Sequence, residues 1–201
     1  MAKKVVGIIG SYRKGRVIDS AVTAALEGAA GCGAETSKIY LIERHIEFCD
    51  NCRACTQERV NVPRGNCVHN DDMEQILTDI DAADAIVLGS PINFFTVTAV
   101  TKQFIERLLV YAYWPWGSKM PKFRTKEKTK KALIITSSAA PAFVGRIMMR
   151  SALGVLGGAA ETMGAKVVRK LYFGMVAQEK DRGLEEKQLK KARQAGKVLV
   201  L

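Results

Sequence analysis

The sequence predicts an α/β fold: an open, doubly wound, five-stranded parallel sheet in the order 2-1-3-4-5, filling one domain over residues 1–201. Three observations predict it. Strand-like and helix-like segments alternate along the chain. The strand segments are near-continuous apolar runs, as expected where helices cover both faces of a sheet. The alternation yields five βα units, where a closed barrel would need about eight.

The elements follow in order. "KKVVGIIGS" is a β-branched run ending in Gly-Ser, and "DSAVTAALEGAAGCG" carries apolar residues at helical spacing with glycines at its end. "ETSKIYLI" is the second strand. A cysteine-rich loop at about 48–70 comes next. "NDDMEQILTDIDAA" opens the second helix, with Asn70, Asp71 or Asp72 available as caps. "DAIVLGSP" is the third strand and "TVTAVTKQFIERLLVYAYW" the third helix, stopped near "WPWG". "KKALIITSS" is the fourth strand. "AFVGRIMMRSALGVLGGAAETMG" is the fourth helix, loosened by Gly154, Gly157 and Gly158. "AKVVRKLYFGM" and "GLEEKQLKKARQAGKVLV" are the last strand and helix.

Composition bounds the function. Hydrophobic residues make up 48% and charged residues 25%, an ordinary globular balance. No apolar run has the length of a membrane span. The short apolar core near the N-terminus runs into a basic turn instead of a cleavage site, so a cytoplasmic protein is expected. The net charge of +11 suits phosphorylated cofactors; no nucleic-acid module or interleaved aromatics accompany it, so no nucleic-acid partner is expected.

In such a sheet, ligands bind beyond the strand C-termini where strand order reverses, here between strands one and three. Both end in Gly-Ser. "GSYRKG" offers a hydroxyl (Ser11), two cations (Arg13, Lys14), a flexible Gly15 and free amides at a helix N-terminus. It lacks the spacing of the dinucleotide and P-loop motifs, so a phosphate loop and a plain polar turn both remain open. "GSPINFF" adds Pro91, Asn93 and two loop-tip aromatics, Phe94 and Phe95, which suit a flat ring with polar edges or a packing contact.

Four of the five cysteines are spaced C-x2-C-x2-C-x11-C: Cys49, Cys52, Cys55 and Cys67. Three thiolates at this spacing with a remote fourth is one way of holding a 4Fe–4S cluster. Zinc would want two C-x2-C pairs. A reduced-thiol loop at the rim of the site is the other open reading. His45 and His69 flank the segment as ordinary loop residues, with a ligand role for His69 a lesser option; Cys32, at a helix end, reads as structural.

These motifs together resemble the NAD(P)H-dependent FMN reductases and iron–sulfur flavoproteins of the flavodoxin-like fold. "GSYRKGRVID", "GSPINFFTVTAVTKQFIERL" and the cysteine segment with "GNCVHNDDM" occur in the order and spacing of that family over roughly the first 110 residues. The resemblance implies an FMN phosphate on Ser11, Arg13, Lys14 and the amides of Gly15, Arg16, Val17 and Ile18. It implies an isoalloxazine against Pro91, Ile92, Asn93, Phe94 and Phe95, with Ser137 and Ser138 closing the site. Val17 and Ile18 stand where many members have Asn-Thr, and Tyr12 where many have Pro. The implied activity is electron transfer from NAD(P)H through FMN to an acceptor, with a 4Fe–4S cluster on the four cysteines as a further option. The alternative is an electron carrier without a small-molecule substrate. The flavin carries such chemistry, so no protein nucleophile is expected. A homodimer or homotetramer is expected on the resemblance alone.

Overall fold

The structure is a computed structural model that describes residues 2–57, 62–125, 127–178 and 183–201. Residues 58–61 of the cysteine loop and Lys126 of the basic run lie outside the described residues.

The long strands are β1 (Lys4–Ile9), β2 (Glu35–Tyr40), β3 (Ala85–Asn93), β7 (Lys130–Ser137) and β8 (Ala165–Phe173). They pair in parallel in the order β2-β1-β3-β7-β8, which is the predicted 2-1-3-4-5 when only the long strands are counted. The short strands are β4 (Thr96–Val97), β5 (Ala112–Tyr113) and β6 (Lys122–Phe123). The order reverses at β1, which lies between β2 and β3, with Ile8 opposite both Ile39 and Leu88.

The β period sorts the apolar residues into two cores. Val6, Ile8, Ile86, Leu88 and Ile134 face α2 (Met73–Ala82), α3 (Ala99–Arg107) and α5 (Arg150–Thr162). Val5, Ile9, Val87, Leu133 and Ile135 face α1 (Val17–Ala30) and α6 (Glu186–Lys197). Burial on both sides explains why these strands read as continuous apolar runs instead of alternating ones.

Two predicted helices differ from the structure. The third was expected over 96–114. Its first residues instead form a two-residue hairpin, Asn93 opposite Thr96, and Thr98 caps α3 by accepting from the Thr101 amide at 3.3 Å. Its last residues leave the helix as a 3-10 turn, Leu108–Tyr111, and enter β5, which pairs with β6. Tertiary bonds favour this exit, because Val110 O accepts from Gly65 N and Tyr111 OH donates to Asp81 at 2.7 Å. The fourth helix breaks at Met149 into α4 (Ala142–Met148) and α5, with no break at the glycines. Met149 turns into the core while Ile147 and Met148 stay exposed.

Candidate functional site

Beyond the C-terminal ends of β1, β3 and β7 lies a cavity of about 670 Å³, within the usual range for a small-molecule site. A buried hydroxyl network joins the strand ends that carry its lining residues. Thr98 Oγ1 and Thr101 Oγ1 donate to Gly10 O at 2.6 and 3.2 Å, Thr101 also meets Ser90 Oγ at 3.1 Å, and Thr136 donates to Ser90 O at 2.8 Å. The network fastens the loop after β1 to the start of α3. It also explains Gly10: a Cβ there would stand 1.8 Å from Thr101 Oγ1.

The loop after β1 lines one wall with Ser11, Arg13 and Arg16, and Val17 and Ile18 begin α1. No side chain caps that helix, with Arg16 at the N-cap position in extended conformation. Its first amides therefore supply the N-terminal donors that an anion can take. Asp19, overlooked as a site residue in the sequence, sets the loop from behind. Its carboxylate accepts from Gly15 N at 2.6 Å and from Tyr40 OH at 3.1 Å. Gly15 adopts φ +68°, which a side chain would strain.

The other wall is Pro91, Ile92 and Asn93 with Ser137 and Ser138; Tyr12, Ala139, Val176 and Ala177 complete the lining. Ser138 Oγ is fixed by accepting from Tyr172 OH at 2.6 Å. Val176 and Ala177 come from the chain after β8 and carry no sequence motif.

Four candidates lie outside this lining. Lys14 turns away to pair with Glu43 and rest over the Tyr40 ring, and the Glu43 hydrogen bond raises its pKa. Gly15 shapes the loop from beneath. Phe94 and Phe95 occupy the tip of the β3–β4 hairpin with φ +45° and +66°, the backbone region such two-residue turns require and aromatics rarely adopt. Their rings meet edge to face at 5.9 Å, and they are 95% and 60% exposed. Neither packs beneath α3.

The cysteine segment shares no lining residue with this cavity. Instead the segment runs along α3, bonded through Ile46 O to Gln103 and through Glu47 O to Arg107. Cys49 and Asn51 line a separate cavity with Lys102, Ile105 and Glu106 of α3.

The long gap before Cys67 closes because Gly65 returns onto the Cys55 carbonyl, where a Cβ would come within 1.8 Å of the oxygen. Around this point Arg124 donates to Cys55 O at 3.1 Å and Trp114 N to Thr56 O at 2.9 Å. Arg53, in the left-handed region at φ +63°, places its Cζ 3.8 Å from the Trp114 ring centroid and 4.2 Å from that of Trp116. "WPWG" therefore holds the cysteine loop.

All four cysteines are free thiols. Burial, followed by the nearby Cys67, Cys49 and Cys52, pushes the Cys55 thiol up to about 11. The thiols share one neighbourhood, yet among the described residues no three His, Cys, Asp or Glu groups converge on a single ion. Among the described residues, the buried side-chain nitrogens without a hydrogen-bond partner are Arg53 Nε, His69 Nε2 and Arg107 Nε. All three belong to this corner. His69 Nε2 lies 3.1 Å from an Asp50 oxygen without the alignment of a hydrogen bond. Donors left over beside thiols are what an anionic centre would satisfy.

With this geometry in place, comparison with known proteins is informative. A family described as NADPH-dependent FMN reductase matches residues 3–179. An iron-sulfur flavoprotein of Archaeoglobus fulgidus is 35% identical over 112 residues, 56% of this chain and 48% of that protein. One from Methanosarcina thermophila is 30% identical over 135 residues, 67% of this chain and 64% of that protein. The chain thus spans about half to under two thirds of these curated relatives. Among solved structures, an NAD(P)H:quinone oxidoreductase from Methanothermobacter marburgensis superposes with a TM-score of 0.74 at 18% identity, covering 98% of each chain. A flavone reductase superposes with a TM-score of 0.65 at 21% identity, covering 98% of this chain and 62% of its own. These two likenesses establish the fold.

Proposed function

We propose that this chain, which belongs to the NADPH-dependent FMN reductase family, is an FMN-dependent NAD(P)H oxidoreductase that passes electrons to an acceptor through a 4Fe–4S cluster on Cys49, Cys52, Cys55 and Cys67. The observation that carries the reading is the cavity at the reversal point of the sheet, walled on one side by the loop after β1 and on the other by the C-terminal end of β3. When bound there, FMN supplies the hydride and electron chemistry.

The chain's own part is binding and orientation. Ser11, Arg13, Arg16 and the first amides of α1 form the polar, cationic wall suited to a phosphate. Pro91, Ile92 and Asn93 form the wall suited to a flat ring with polar edges. Tyr172 locks the Ser138 hydroxyl, and the Thr98–Thr101–Ser90 network holds the two loops in register. The excess of positive charge favours approach of an anionic nicotinamide cofactor. Free thiols suit a reducing, cytoplasmic setting, and no helix among the described residues is long and apolar enough to cross a membrane. The exposed Phe94 and Phe95, which follow Asn93, and the exposed Phe143, Ile147 and Met148 of α4 support assembly as a homodimer or homotetramer.

The test is the visible spectrum of anaerobically purified protein. Flavin bands with a broad iron–sulfur shoulder, bleached by NADPH or NADH, are expected. Flavin without iron removes the cluster. A yellow protein that neither nicotinamide bleaches indicates an electron carrier, and a colourless protein that takes up no FMN overturns the reading.

A further inference from the structure

Arg107 closes α3 with a side chain only 2% exposed, beneath the cysteine segment. Its two terminal nitrogens are committed. Nη1 donates to Asp71 Oδ2 at 2.5 Å and Glu47 O at 2.8 Å, and Nη2 donates to Asp71 Oδ1 at 3.2 Å. These bonds tie together the two arms of the segment. Glu47 precedes Cys49 by two residues, Asp71 follows Cys67 by four, and Glu47 N donates back to Asp71 at 2.7 Å. The fork so fixed leaves Nε as the one nitrogen of the group without a partner among the described residues. Cys67, partly buried against the adjoining core, is near enough to act electrostatically on the same guanidinium, with no hydrogen bond formed from Nε in this structure. Burial works against the arginine's charge, and Asp71 and the Cys67 sulfur outweigh it, so the group stays charged.

A buried guanidinium held by a fork on one side and idle at Nε on the other is over-determined for a purely structural ion pair. Two well-placed bonds to Asp71 would serve that purpose, and a buried N–H left without a partner is destabilising. A sulfur anion beside it removes that cost. Hydrogen bonds to the ligating sulfurs are also among the factors that set the reduction potential of an iron–sulfur cluster.

We propose that Arg107 is a positioning residue of the cysteine site, donating a hydrogen bond to the Cys67 sulfur and raising the reduction potential of the cluster that Cys67 helps to hold. This rests on the cluster reading given above. Asp71 tempers the effect by neutralising part of the guanidinium charge, so the two residues act on the site in opposite directions.

The experiment compares the full chain with Asp71→Asn and with the double variant Asp71→Asn/Arg107→Gln, which removes both buried charges and keeps amides in their place. Each is reconstituted anaerobically with iron and sulfide, and its cluster potential is measured by a redox titration followed by electron paramagnetic resonance. In parallel, each iron-free protein is titrated with cadmium ions and the thiolate-to-metal absorbance is followed. The proposal expects Asp71→Asn to raise the potential and the double variant to bring it below that of the natural sequence. It expects the double variant to bind cadmium about tenfold more weakly or worse. Arg107→Lys, which keeps charge but not the Nε geometry, should fall between. A double variant with unchanged potential and unchanged cadmium affinity overturns the proposal and leaves the cluster standing. If the natural sequence takes up no iron, the cluster reading fails instead. The cadmium titration then decides: weaker binding by the double variant supports the Arg107–Cys67 bond, and equal binding overturns it. Should the double variant fail to fold, Arg107→Lys carries the same comparison.

Discussion

Gly65 lies so close to the carbonyl of Cys55 that any side chain at that position would collide with the backbone, at 1.8 Å for a Cβ. This contact brings the fourth cysteine back to the other three across the long gap. Gly65→Ala must push the two strands of the loop apart. Overpacking of this kind costs about 1–3 kcal/mol. The expected outcome is a lower urea midpoint together with iron content well below that of the natural sequence. Unchanged iron would show that Cys67 does not need this contact.

The two walls of the cavity predict unequal roles for neighbouring cations. Arg13 and Arg16 line it, whereas Lys14 is held by Glu43 outside. Losing one charge-assisted bond to a phosphate costs roughly 1.5–3 kcal/mol, so Arg13→Ala or Arg16→Ala should weaken FMN binding by roughly 10- to 100-fold. Lys14→Ala should change it less than about twofold, in line with an exposed ion pair. Flavin fluorescence quenching measures all three. A large loss at Lys14 would contradict the placement.

Acid should loosen the cysteine corner. Burial raises the Asp71 carboxyl, but the bonds from Arg107, Glu47 N and Met73 N outweigh it and bring the group below its usual value of 3.8. Arg64 likewise lowers Glu74. A carboxyl with a depressed folded-state pKa contributes stability above its unfolded value, and this is lost as pH falls through the folded one. Urea unfolding should therefore show stability declining below about pH 4. The decline should be shallower in the Asp71→Asn/Arg107→Gln variant. Identical pH profiles for the two proteins would argue against it.

The chain's two tryptophans, Trp114 and Trp116, both contact Arg53 between Cys52 and Cys55. Intrinsic fluorescence thus reports on the cysteine loop. Arg53→Ala removes both cation–π contacts, each worth about 0.5–1 kcal/mol at a partly exposed site, and keeps a left-handed residue that alanine tolerates poorly. Tryptophan emission should shift, and Cys52 alkylation should quicken several-fold. An unchanged emission spectrum with unchanged alkylation would show that the arginine does not hold the loop.

Much of this was legible in the residues. The three central strands follow from near-continuous apolar runs, which report burial on both faces, and the edge strands β2 and β8, more polar and more exposed, follow from the alternation of strand and helix segments. The cavity-lining role of Ser11, Arg13, Pro91 and Ser137 follows from their position at or just past the C-terminal ends of those strands, because topology alone brings the strand ends together. Helix bounds were less legible. Residues 96–98 and 108–113 have helical spacing, but a hairpin, a cap and bonds from Gly65 and Asp81 draw them out of the helix. Propensity cannot register partners so distant in sequence.

The sequence by itself determined the sheet, the reversal point and the identity of the thiols, because apolar periodicity and residue type are local properties. Tertiary structure decided where Lys14 points, that Asp19 pins Gly15, that Phe94 and Phe95 face solvent, and that the cysteine segment runs along α3 without lining the cavity. Each of these depends on a partner remote in the chain: Glu43, Tyr40, the turn geometry set by β4, and Arg107. Side-chain direction is fixed by such partners, and no motif in a single stretch of sequence encodes it.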